Sequence, residues 1–164
     1  MKIKYLLVSI VLLMASTYAK EFAISTGASH QKHPEIVFDG AMYRVVYDSV
    51  GDIWCAKVTP EGAVASKVRL TSGADPDSTP SIAFDGTNFF IVWTRYSSTF
   101  GAIMNQNGQI ISGPFMVQMN GYFHPVITYA NNRFLIAASY LILTNGTQGR
   151  IIAAILTGIF TEIS

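Results

Sequence analysis

Three histidines and a small set of acids are the residues of this chain whose types could do chemistry. His33 and His124 each stand directly before a proline, Pro34 and Pro125, and His30 lies close by. Converging neutral imidazoles can ligate a metal. The spacing contains no local ligand motif, however, and Thr79 holds the comparable place before Pro80. Asp75 and Asp77 in "GADPDSTP", together with Asp48 and Asp52, form the acidic set. Carboxylates at the mouth of a site can bind calcium, or serve a glycosidase that needs two of them at a defined separation. The same residue types also build turns, and that role accounts for them more simply. The chain contains no Gly-x-Ser-x-Gly and no phosphate loop. No residue is assigned a catalytic role, and neither a metal nor a cofactor is implied.

Cys55 is the single cysteine, so no intramolecular disulfide can form. Its neighbours Ile53-Trp54 and Ala56-Lys57-Val58 mark it as a small hydrophobe on a strand. Tyr47, Trp54, Trp93 and Phe100 could stack on sugars, but repeated strand aromatics more commonly form core. Half of the residues are hydrophobic and 13% are charged, a balance that buries a large core. Eleven Lys and Arg face ten Asp and Glu, with no basic patch for nucleic acid and no acidic tail. Residues 1–19 read as a signal peptide. Lys2 and Lys4 precede an apolar run, and Thr17-Tyr18-Ala19 offers small residues for cleavage after Ala19. A secreted or periplasmic location is expected, with no membrane attachment after cleavage.

The elements that must position these side chains come from a repeat. "PEIVFDGAMYRVVY" begins at Pro34 and "PSIAFDGTNFFIVW" at Pro80, 46 residues later. The pair Gly62 and Gly108 keeps the same spacing, as does the pair Gly27 and Gly73. A more worn copy, "PVITYANNRFLIAA", opens at Pro125. Each copy carries an apolar strand A, an Asp-Gly or Asn-Asn turn suited to positive φ, and an apolar strand B. A strand C, a second turn and a strand D follow. Strands A and B are apolar at nearly every position, which means both sheet faces are covered. Strand D alternates and belongs nearer solvent. Four-stranded antiparallel units repeated every 40–50 residues or so predict an all-β fold of the propeller type.

The "P-x-I-A-F-D-G-x-x-[YF]-x-V-x-W" pattern followed by "G-x-I" resembles a repeat of exported bacterial β-propellers, most without an assigned function. The resemblance implies three four-stranded blades: blade one over 34–73, blade two over 80–121 and blade three over 125–164. An additional outer strand over 22–27 precedes them, all within a domain spanning 20–164. Three blades fall short of the four or more that close a ring. The chain is therefore expected to belong to a longer propeller, or to assemble, two copies giving six blades.

In such a fold the D-to-A loops, expected over 28–33, 74–79 and 122–124, and the B-to-C loops, expected over 48–52, 96–99 and 141–149, share one face. That placement makes His33, His124, Asp75, Asp77, Asp48 and Asp52 a candidate binding set. The functional expectation is a non-enzymatic exported module that binds a protein or a glycan through this face. The alternative is the remnant of a propeller carbohydrate-active enzyme, a glycoside hydrolase or lyase. Asn145-Gly146-Thr147 is a glycosylation sequon.

Overall fold

The computed structural model describes residues 21–27, 29–118, 122–144 and 146–156. The signal peptide, the sequon asparagine Asn145 and any strand after residue 156 lie outside them. The described residues are all-β. Blade one contains β1 (Gln31–Phe38), β2 (Tyr43–Ser49), β3 (Asp52–Val58) and β4 (Val64–Arg69). Blade two contains β5 (Asp77–Phe84), β6 (Phe89–Arg95), β7 (Ser98–Met104) and β8 (Ile110–Gln118). Blade three shows β9 (Tyr122–Ala130), β10 (Arg133–Thr144) and β11 (Gly146–Leu156). Within each sheet, neighbours in sequence pair antiparallel. The first strands of successive blades, β1, β5 and β9, lie side by side.

The turns follow from their residues. Asp39 Oδ1 accepts the amides of Ala41 and Met42 at 3.0 and 2.7 Å. Asp85 Oδ1 accepts those of Thr87 and Asn88, both at 2.7 Å. The following Gly40 and Gly86 take φ of 94° and 99°, which a side chain would resist. In blade three Asn131 and Asn132 do the same work at φ 52° and 59°. Burial pushes the Asp39 carboxyl up, but the two amides and the Arg44 guanidinium outweigh it and hold the group below the ordinary carboxylate range.

The core lies between blades. One face of blade one, with Val46, Ile53 and Cys55, packs on Ile82, Phe89, Ile91, Trp93, Ala102 and Met104 of blade two. The other face of blade two, with Ala83, Phe90 and Val92, packs on Ile127, Phe134 and Ile136. Phe90 meets Phe134 edge-on at 5.4 Å. Gly101 makes room for that ring, since a Cβ there would lie 2.7 Å from it. Blade two is thus covered on both sides, as its unbroken apolar strands require. β4 is exposed along nearly its whole length, as the alternation of strand D implies.

Three expectations are corrected. Residues 22–27 form no strand. Instead Ile24 packs on the first face of blade one, against the group Val45, Tyr47, Ala56 and Val58, and the Phe22 ring sits over Gly62. Among the described residues no blade lies on this face, and apolar side chains of the segment partly cover it. Strand A is longer than its apolar stretch, beginning at Gln31, Asp77 and Tyr122. In β1 and β5 the added start is polar, Gln31-Lys32 and Asp77-Ser78, and so escapes an apolar search. Blade three departs most. Its hairpin stays paired as far as Thr144 and Gly146, through residues read as a loop. Its central strands therefore run to 12 and 11 residues, against seven in β2, β3, β6 and β7.

Trp93 is 1% exposed. Trp93→Ala is expected to cost about 3–5 kcal/mol, read as a lower urea midpoint; an unchanged midpoint would show that the blade-one/blade-two core is misassigned.

Candidate functional site

Strands β1, β5 and β9 are each interrupted at the same repeat position. His33, Thr79 and His124 take φ of 51°, 49° and 51°, and the pairing of each strand with its neighbour slips there. The following Pro34, Pro80 and Pro125 have no N–H for the ladder, and strands accommodate proline at bulges of this kind. His33, Thr79 and His124 are therefore not loop residues, as the sequence suggested, but bulge residues of the innermost strands.

The bulges at Thr79 and His124 are fixed from the preceding blade. Asp48 Oδ1, at the end of β2, accepts the Thr79 amide of the next blade at 3.1 Å. Thr94 Oγ1, 46 residues after Asp48, accepts the His124 amide at 2.9 Å. A second bond runs in parallel. The carbonyl of Gly51 accepts the Asp77 amide at 2.8 Å, and that of Ser97 accepts the Tyr122 amide at 3.0 Å. Each interface between blades thus carries two bonds in the same register.

These contacts bring the three bulge residues together. His33, Thr79 and His124, with the prolines after them and Glu35, line a cavity of about 230 Å³ between the innermost strands. His30 is not part of this wall. Under the cavity, His33 Nδ1 lies 2.6 Å from Asp48 Oδ1, and the Thr79 hydroxyl bonds the Thr94 hydroxyl at 2.8 Å.

The acids do not gather. Asp48 serves His33 and Thr79. Asp52 pairs with Arg69 at 2.7 Å. Asp77 is 2% exposed and takes two bonds from Arg95, at 2.7 and 2.8 Å. The hydrogen bond to Asp77 raises the Arg95 pKa. Asp75 accepts the Tyr96 hydroxyl at 2.6 Å, a bond that raises the tyrosine's pKa. Asp48 and Asp52 lie on strands, not in a loop, because β2 and β3 run to a tight Val50-Gly51 turn. Among the described residues no three His, Cys, Asp or Glu are grouped as metal ligands. Burial pushes the Cys55 thiol up to about 12, far from the thiolate form that reacts.

Glu35 and Thr94 are site residues that the sequence reading passed over. Thr94 was within reach, since it occupies the repeat position of Asp48. Glu35 carries no such mark.

Sheets stacked face to face around adjacent inner strands define this chain as part of a β-propeller. No family model and no curated protein matches the sequence. Solved structures do. An exo-1,5-α-L-arabinanase from a bovine ruminal metagenomic library superposes with a TM-score of 0.63 at 10% identity, over 79% of this chain and 53% of that one. A GH43 endo-arabinanase from Bacillus licheniformis gives 0.54 at 13% identity, over 79% and 52%. An α-L-arabinofuranosidase from Clostridium thermocellum gives 0.58 at 10%, over 76% and 47%. The GH43 neighbours are five-bladed propellers, and the chain spans about half the length of these three. At these identities the likeness is one of fold.

Two substitutions test the bulge geometry. Asp48→Ala orphans the Thr79 amide and is expected to cost about 1–3 kcal/mol. His124→Gly keeps the amide and suits φ 51°, so its thermal midpoint should match or exceed the parent's. A large loss on His124→Gly would mean that the exposed imidazole, not the backbone, holds blade three.

Proposed function

We infer that this chain is an exported, non-enzymatic part of a β-propeller that binds a glycan at the cavity between His33, Thr79 and His124. The observation that carries the non-enzymatic reading is the engagement of the acids. Asp48, Asp52, Asp75 and Asp77 are each held in an ion pair or hydrogen bond, and the cavity wall presents one carboxylate, Glu35. Glycoside hydrolysis ordinarily uses two across the scissile bond. Imidazole, hydroxyl and carboxylate groups in one wall suit the hydroxyls of a sugar, and the structural neighbours carry the names of arabinan-active enzymes. Those names favour a second reading, the remnant of a propeller glycoside hydrolase. Export rests on the leader-like residues 1–19.

Residues 20–164 titrated with 1,5-α-L-arabinohexaose, xylohexaose and cellohexaose separate these readings. Calorimetric binding to at least one, with no release of reducing ends, is expected. Release of reducing ends would replace the binding module with the enzyme. Binding to none would leave a protein as the ligand of this face.

A further blade would cover blade three, whose Val126, Leu135 and Ile151 are 54%, 40% and 76% exposed among the described residues. We assign that blade to a longer propeller. Two sets of three blades do not make the five of the structural neighbours. Light scattering of residues 20–164 is expected to give open-ended, concentration-dependent association; a stable particle of twice the chain mass would establish a six-bladed dimer instead.

A further inference from the structure

Beyond the cavity, one exposed aromatic ring is held in a fixed place. Tyr96 is the first residue of the turn between β6 and β7, 68% exposed, with φ 55°. Bulky residues seldom adopt that backbone, and where they do the cost is commonly tied to function. Burial does not hold the ring there. Its hydroxyl donates to Asp75 Oδ1 at 2.6 Å, and the base of the hairpin is fixed by Arg95, bonded twice to Asp77 and lying over the Phe100 ring at 4.8 Å. Blade one repeats the geometry with Val50, φ 55° and 78% exposed. Both tips thus present an apolar side chain where Asn or Gly would cost less.

The tip also lies close along the chain to the support of the cavity. Tyr96 follows Thr94 by two residues, and Thr94 holds Thr79 and His124 of the cavity wall. Two residues of strand span about 7 Å, a separation that a ligand longer than one sugar can bridge. We propose that Tyr96 is the stacking platform of a second glycan subsite, taking the apolar face of the sugar that follows the one in the cavity. A tyrosine supplies a large amphipathic surface at little entropic cost, and the bond to Asp75 orders it before the ligand arrives. The proposal rests on the glycan reading above and extends it by one sugar.

The test is calorimetry of residues 20–164 and of Tyr96→Ala and Tyr96→Phe, using whichever of the three hexaoses binds the parent, with melting midpoints in parallel. Tyr96→Ala is expected to weaken binding about tenfold, in line with the upper range for ring contacts. Tyr96→Phe keeps the ring and should stay within about threefold. Both midpoints should match the parent, since the side chain is exposed. Equal affinity of Tyr96→Ala and the parent overturns the subsite and leaves the cavity reading standing. Failure of the parent to bind any of the three sugars overturns both.

Discussion

An amide hydrogen passed from each blade to the one before it is the constraint on which this structure depends. The first strand of a blade cannot run straight, because its proline has no N–H for the ladder. The residue before the proline turns into the left-handed region, and its own amide swings away from the sheet. Left unpaired and partly buried, such a donor costs as much as a lost hydrogen bond. Asp48 and Thr94 supply the acceptors, each from the far end of the preceding blade's second strand. A defect inside one sheet is thereby satisfied by its neighbour.

The apolar faces alone would let two blades slide, since hydrophobic contact has no direction. Two parallel hydrogen bonds at each interface remove that freedom. They also gather the bulges: the amides of Thr79 and His124 are pinned to the same point on the preceding blade, and with His33, whose imidazole meets Asp48, these residues surround one cavity. The site is a by-product of how the blades are fastened. Residues such as Asp48 that look catalytic in isolation are part of the fastening.

Much of this was legible in the sequence, and the reasons differ by element. The Asp-Gly turns at Asp39 and Asp85 announce themselves because few residue types tolerate that backbone. Covered strands such as β6 are legible because apolar runs have few other uses. The bulges were not. Nothing in the letters of His33 or His124 requests a left-handed backbone, and the acceptor lies in another blade. The long hairpin of blade three departs from the loop expected over 141–149 because its backbone pairing continues well past the apolar stretch 134–138. The fate of residues 22–27 depends on whether a blade precedes them, which is a fact about space and not about those residues.

The seat taken by Phe22 and Ile24 gives the stack a direction. One end of the blade series is partly covered by the chain's own side chains, with Phe22 and Ile36 still 48% and 60% exposed, while the other offers Val126, Leu135 and Ile151 to whatever comes next. The two ends are therefore unlike: a blade arriving at the third meets a bare sheet, and one arriving at the first meets the Phe22 ring before the sheet.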